Sequence, residues 1–111
     1  MTLKQIKDTL SSTGLPIAYH HFDTDSVKEP PFLVYLFPQS NNMSADNQVY
    51  QKISELDVEL YTDCKDMDLE TRIERVLTDA GLFWQKTESW IETEKLYEVL
   101  YEMEVILNAE E

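Results

Sequence analysis

In two stretches of the chain, apolar side chains on one face alternate with acidic side chains on the other. Between residues 97 and 107 one face carries Tyr, Val, Met and Leu, and the other carries three glutamates. Residues 54–62 repeat this pattern, with the acids Glu55, Asp57 and Glu59 on one face. Because strand side chains point alternately to opposite faces, both stretches are predicted to be half-buried β-strands and sheet partners. Their carboxylates would share a face that is wet or meets a basic partner, since like charges across strands repel.

Helical spacing of apolar residues occurs twice. A helix over about residues 3–13 is predicted to begin at the capping box formed by Thr2 and Gln5. A second helix over about residues 67–80 has apolar residues on its inner face and charged residues, Glu70 among them, outside.

The remaining apolar segments predict the other strands. Strands are expected over about residues 17–22, 32–37, 49–62, 83–91 and 96–107. Segment 32–37 is apolar on both faces, which is typical of a central strand. Residues 39–48 are rich in Asn, Ser and Gln, and we predict a mobile loop there. The element order predicts one α+β domain over 1–111, a mostly antiparallel sheet of four to five strands with two helices packed on one face.

Length and charge narrow the possible functions. The chain has 111 residues, and 22 acidic against 9 basic residues give a net charge of −13. Such a charge argues against tight nucleic-acid binding and against an anionic membrane surface. A single cysteine, Cys64, excludes an internal disulfide, and we find neither a signal peptide nor an apolar run long enough for a membrane helix. We expect a soluble, intracellular protein.

No constellation of residues predicts catalysis, a cofactor or a metal. His20 and His21 are adjacent, and neighbours on a strand point to opposite faces, so a metal site is not expected there. Asp57 and Glu59 share a face, but the residue two beyond Glu59 is Tyr61 rather than the lysine of a common nuclease pattern. A solvated sheet face explains these acids better.

Aromatic residues exceed what one covered face can bury. They include Tyr35, Phe37, Tyr50, Tyr61, Trp84 and Trp90. Two helices cover only one face of a sheet, so some of these side chains should remain exposed unless a partner hides them. Tyr and Trp are favoured in protein–protein interfaces. We therefore expect a structural or binding protein rather than an enzyme.

The overall pattern resembles that of a known family. The matching segments are residues 3–6, 14–19, 31–36, 40–46, 49–50, 58–62, 86–91 and 97–105. In these the chain resembles the small tail-completion, or head–tail joining, proteins of long-tailed phages and prophages of Gram-positive bacteria. The most distinctive segment is 40–46, which leads into residues 49–50. None of the segments is a catalytic motif.

This resemblance implies a non-enzymatic virion protein at the head-proximal end of the tail, similar to tail terminators. Such proteins form hexameric rings that contact the tail-tube protein and the head connector while DNA passes through, and they need no cofactor. The subunit or tube interface is then expected to include Tyr35, Phe37, Asn41, Asn42, Met43, Asp46, Tyr50, Trp84 and Trp90. The acids expected to face the channel are Glu55, Asp57 and Glu59. The protein would assemble in the host cytoplasm, from subunits that can be monomeric when free.

A different class of protein also fits the charge. Small acidic phage proteins can mimic DNA and inhibit a DNA-processing enzyme. Such mimics spread their acids along an elongated surface at phosphate-like spacing, whereas these acids alternate with apolar residues as in an ordinary sheet. The tail-completion reading is therefore preferred.

Overall fold

The computed structural model describes residues 1–22 and 29–108, without the side chains of Tyr50 and Gln51. Its elements in chain order are α1 (Leu3–Ser11), β1 (Ile17–Tyr19), β2 (Phe32–Leu36), β3 (Met43–Ala45), β4 (Gln48–Gln51), β5 (Ser54–Thr62), α2 (Met67–Asp79), β6 (Gln85–Ile91) and β7 (Leu96–Val105). Five strands form one sheet in the order β1-β2-β5-β7-β6, and β3 and β4 form a separate two-stranded sheet. The predicted α+β class, with a mostly antiparallel sheet, is confirmed.

The centre of the sheet is the predicted partnership between β5 and β7. These strands pair antiparallel from Ser54 opposite Val105 to Thr62 opposite Tyr97. Strand β2 joins the other side of β5 antiparallel, β6 joins β7 antiparallel, and β1 runs parallel to β2. This register places the alternating residues of β5 and β7 on common faces, as the sequence pattern predicts.

Both helices cover one face of this sheet. The shared core contains Ile6 and Leu10 of α1, Leu69, Ile73 and Leu77 of α2, and Leu33, Leu56, Val58, Leu60, Val99, Tyr101, Met103 and Val105 of the strands. Burial of these apolar side chains is the main favourable contribution to folding. The opposite face carries the carboxylates of β5 and β7. Neither described helix has the length and apolar composition that crossing a bilayer requires.

The region predicted to be a mobile loop has regular structure. Residues 43–51, which we call the arm, form the hairpin of β3 and β4. Asp46 and Asn47 between these strands both have positive φ, 53° and 62°, as a two-residue type I′ turn requires. The expected strand 49–62 is accordingly split into β4 and β5, and only its second part joins the main sheet.

Several other element boundaries differ from the prediction by one to three residues. Strand β1 ends at Tyr19 rather than residue 22, because His20 has a φ of 68° that no β-strand adopts. Trp84 precedes β6 instead of lying in it. Helix α1 ends at Ser11, two residues earlier than expected, and its predicted capping box between Thr2 and Gln5 is present.

Glu70 was expected on the solvent side of α2 but is only 4% exposed. The Nζ atoms of Lys65 and Lys86 lie 2.7 Å and 3.2 Å from its carboxylate oxygens. Lys86 also contacts Glu74 at 2.7 Å, and the Tyr101 hydroxyl donates to the same Glu74 oxygen at 2.8 Å. The expectation was wrong because Lys86 points to the helix-covered face of β6, where it offers these glutamates a partner that helical periodicity cannot reveal.

Replacing Asp66 with Ala should destabilise the fold by about 1 kcal/mol, since this side chain caps α2. Asp66 accepts a hydrogen bond from the Leu69 backbone N–H at 3.0 Å. Chemical denaturation would measure the change. Asp68→Ala, in the exposed first turn of the same helix, is the matched control and should cost only about 0.3 kcal/mol through the helix dipole. Equal effects of the two substitutions would contradict the capping role.

Candidate functional site

The uncovered side of the main sheet carries six carboxylates, and we call it the acidic face. They are Glu55, Asp57 and Glu59 of β5 and Glu98, Glu102 and Glu104 of β7. The antiparallel register sets Glu55 directly opposite Glu104, and Asp57 opposite Glu102. None of the strand residues on this side, within the described chain, is Lys or Arg. The sequence had singled out only the acids of β5 as channel-facing, and the register adds those of β7.

Two of these carboxyl groups hold protons unusually well. Burial raises the pKa of Asp57 to about 6, and the nearby charges of Glu55 and Glu102 add to the increase. Burial, followed by a hydrogen bond and charge repulsion with Glu98, raises the pKa of Glu59 to about 7, against the opposing hydrogen bond from Tyr61. Near neutral pH, Glu59 is therefore protonated in a large fraction of molecules, and the acidic face carries fewer than six charges.

Three of the carboxylates converge on one point. Oxygen atoms of Glu55, Asp57 and Glu102 all lie within 4.8 Å of one another. Oδ1 of Asp57 is buried and accepts no hydrogen bond from the described residues. Hard cations such as Mg²⁺ and Ca²⁺ prefer such oxygen ligands, although exposed acids often cluster without an ion. This arrangement of carboxylates favours the binding of positively charged groups.

Aromatic groups border the acidic face at both ends. Near β2, Phe32 stacks on Tyr61 with ring centroids 5.2 Å apart. At the other end, a cavity of about 360 Å³ is lined by Glu55, Glu102 and Glu104 together with Phe83, whose side chain is 79% exposed. Phe83 was placed in the predicted strand 83–91 and was not singled out as a site residue, whereas the structure has it between α2 and β6.

The arm carries four of the predicted interface residues at or near its strands. They are Asn41, Asn42, Met43 and Asp46, and all side chains from Asn41 to Val49 are exposed. Met43 and Val49 are 54% and 55% exposed, although both are apolar. The side chain of Tyr50, also predicted at the interface, lies outside the described residues. The arm thus presents apolar side chains to solvent on a hairpin that packs mainly against itself.

Tyr35 and Phe37 lie on the helix-covered side of the sheet, in a groove beside α1. Tyr19 packs edge-on against Tyr35 at 5.3 Å and lies 6.0 Å from Phe37, measured between ring centroids. Leu3, Lys4 and Lys7 complete the lining of a cavity of about 530 Å³. Tyr19 and Leu3 belong to this α1 groove although the sequence did not single them out for it.

The two tryptophans occupy different environments. Trp84 is half-buried, packs edge-on against Tyr101 at 5.5 Å, and donates from Nε1 to Thr78 Oγ1 at 2.9 Å. Trp90 is 45% exposed, lies 4.7 Å from the Tyr97 ring, and donates to Glu92 at 2.6 Å. Trp84 therefore anchors α2 to the sheet, whereas Trp90 remains available at the surface. The predicted interface residues thus fall on the arm, the α1 groove and the β6 side rather than on one surface.

The two histidines do not point to opposite faces. Strand β1 ends before them, and their Nδ1 atoms lie 3.0 Å apart. The geometric premise used against a metal site at this position was therefore wrong.

These features define a small acidic α+β protein with one open, carboxylate-rich sheet face and a projecting hairpin. The chain matches no protein-family model, and a search of curated proteins finds no relative.

Proposed function

We propose that this chain is a non-enzymatic virion structural protein that completes a phage tail and joins it to the head connector. In this proposal the subunits form a ring, hexameric in the virion, and DNA passes through its centre. The observation that supports it most is the acidic face, a broad sheet surface left uncovered by both helices and devoid of basic strand residues in the described chain.

A lumen lined by the acidic face would suit DNA passage. Duplex DNA carries a negative charge about every 1.7 Å along its axis, so carboxylates repel it and prevent adhesion. Glu55, Glu102 and Glu104 would provide most of this repulsion, and Asp57 and Glu59 would add to it in the molecules in which they are ionised. Six acidic faces around one channel would also repel each other, and protonation of Asp57 and Glu59 would relieve part of this repulsion.

The arm and the α1 groove would supply contacts between subunits. A ring needs a heterologous interface, in which one surface of a subunit meets a different surface of its neighbour. An isolated two-stranded hairpin is marginally stable in water, so the arm would gain from packing its Met43 and Val49 side chains against another molecule. The tail-tube protein and the connector are the other partners in this proposal.

Solution mass against concentration tests the proposal directly. Light scattering after size exclusion would be recorded for the chain alone and then with purified tail-tube protein. We expect either a ring, or a monomer that becomes a ring on the tube. The proposal would be contradicted if the chain stayed monomeric and did not bind the tail-tube protein at high concentration.

The concentration of six acids on one face also raises the DNA-mimic alternative. A mimic must hold its negative charges to replace phosphates, yet burial raises the pKa of Asp57 to about 6 and that of Glu59 to about 7. Three of the acids, Glu55, Asp57 and Glu102, also converge to within 4.8 Å of one another instead of spreading along a line. Tight binding to a DNA-processing enzyme, without ring formation, would favour this alternative over tail completion.

A further inference from the structure

His20 and His21 bring two imidazole nitrogens together at the surface. Their Nδ1 atoms lie 3.0 Å apart, and the rings are nearly perpendicular, at 88°, with centroids 5.2 Å apart. Both side chains are exposed. In the neutral state one Nδ1–H donates a hydrogen bond to the Nδ1 of the other ring, so the two Nδ1 atoms meet at one accessible point.

The backbone holds this pair in place. The His21 N–H donates to the Tyr19 carbonyl at 2.7 Å, which closes a γ-turn centred on His20. The His20 N–H donates to the Tyr35 carbonyl at 2.8 Å and ties the turn to β2. His20 adopts a φ of 68° in this turn, a conformation that non-glycine residues seldom occupy. The turn replaces strand alternation and directs both rings to the same side.

We propose that His20 and His21 form a chelating site for a divalent transition-metal ion, bound through both Nδ1 atoms. Two imidazole nitrogens at about 2.05 Å from one metal lie about 2.9 Å apart at a right angle and about 3.3 Å apart at the tetrahedral angle. The observed 3.0 Å is close to the right-angle value. Tetragonal and square-planar geometry is typical of Cu²⁺ and Ni²⁺, which imidazole ligands suit.

Binding requires a change of tautomer and no other chemistry. The ring that carries its proton on Nδ1 moves it to Nε2, so that both Nδ1 lone pairs are free for the metal. No proton is released when both imidazoles start neutral. Water would fill the remaining coordination positions, since both rings face solvent. Acid should weaken binding, because a histidine nitrogen must be unprotonated to bind a metal.

Among residues 1–22 and 29–108, two other groups could bind the same ions. Cys64 is an exposed thiol. The carboxylates of Glu55, Asp57 and Glu102 form the second candidate. Thiolate is a soft ligand and carboxylate a hard one, so both must be separated from the histidine pair in any test. Replacing Cys64 with Ser throughout removes the first, and Glu55→Gln weakens the second.

The experiment is a calorimetric titration of CuCl₂ and of NiCl₂ into the Cys64→Ser chain at pH 7.5, in a buffer that does not coordinate metals. We expect one ion per chain, with Cu²⁺ bound more tightly than Ni²⁺. His20→Asn, which retains a residue tolerant of positive φ, and His21→Ala should each lower the affinity at least about tenfold. Glu55→Gln should bind as tightly as its Cys64→Ser parent. In proton NMR, Ni²⁺ should broaden the ring signals of both histidines together.

Several results would overturn the site. These are no binding by the Cys64→Ser chain, unchanged affinity in either histidine variant, or loss of binding in Glu55→Gln. Far-UV circular dichroism and the melting temperature of each metal-free variant establish that it remains folded, which we expect because both histidines are exposed. The outcome is independent of ring formation, so it separates this inference from the proposed tail function.

Discussion

A chain in which residues 42–52 are replaced by Asn-Gly should fold to the same core and fail to join tails to heads. The Asn41 N–H already donates to the Ile53 carbonyl at 2.8 Å, so the two ends of the excised segment face each other across a hairpin. Asn-Gly is the preferred pair for closing such a hairpin with a type I′ turn. Because the side chains from Asn42 to Val49 are exposed, we expect the free energy of unfolding to change by no more than about 1 kcal/mol.

Loss of joining would be measured as the yield of infectious particles and, in vitro, by electron microscopy of mixed heads and tails. We expect the yield to fall by at least about a hundredfold, which corresponds to about 3 kcal/mol of lost interface free energy. The matched control keeps the arm and replaces only Asn47 with Gly, which tolerates the positive φ at this position, and it should behave like the parent. Normal particles from the armless chain, with its melting temperature unchanged, would exclude the arm as a contact while leaving ring formation to the mass measurement.

Local patterns in the sequence predict those parts of the fold that depend on neighbouring residues. Alternation in residues 54–62 and 97–107 identifies β5 and β7, because a strand with one buried face must alternate. The capping box of Thr2 and Gln5 identifies the start of α1, since its hydrogen bonds join residues three apart. These signals also place the acids of β5 and β7 on one face, which is the basis of the acidic face.

The sequence is less informative where a long-range contact or a single backbone angle determines the local structure. Glu70 is a charged residue on the side of α2 that periodicity predicts to be exposed, and its burial is explained by ion pairs with Lys65 and with Lys86, 16 residues away. The arm has no alternating apolar face to reveal it, and its turn depends on positive φ at Asp46 and Asn47. His20 and His21 converge because of one γ-turn at the end of β1. Burial in the folded sheet, which the sequence does not reveal, likewise raises the pKa of Asp57 and of Glu59.

Glu59→Gln should stabilise the protein above neutral pH and flatten its dependence on pH. The pKa of Glu59 is about 7 in the folded chain against 4.5 for an ordinary glutamate. Between these values the folded state binds more protons than the unfolded state, so the free energy of unfolding falls as pH rises from about 4.5 to about 7. Asp57, whose pKa rises from 3.8 to about 6, acts in the same direction.

Glutamine removes the cost of ionising this site and can still hydrogen-bond with Glu98 and Tyr61. After allowance for solvent screening at a partly exposed site, we expect Glu59→Gln to gain about 1–2 kcal/mol at pH 8 and almost nothing at pH 4.5. The melting temperature at pH 8 should rise by roughly 5–10 °C.

Urea denaturation at pH 4.5, 6 and 8 would measure both the gain and its dependence on pH. Glu104→Gln is the matched control, since Glu104 is exposed on β7 and belongs to the same acidic face as Glu59. This substitution should change stability by less than about 0.5 kcal/mol at every pH. A loss of stability at pH 8, or an equal gain at all three pH values, would show that burial and the neighbouring Glu98 do not hold the Glu59 proton. A gain confined to high pH would instead establish that ionising Glu59 destabilises the folded state, so that a basic partner on the acidic face would bind more favourably as the pH rises through about 7.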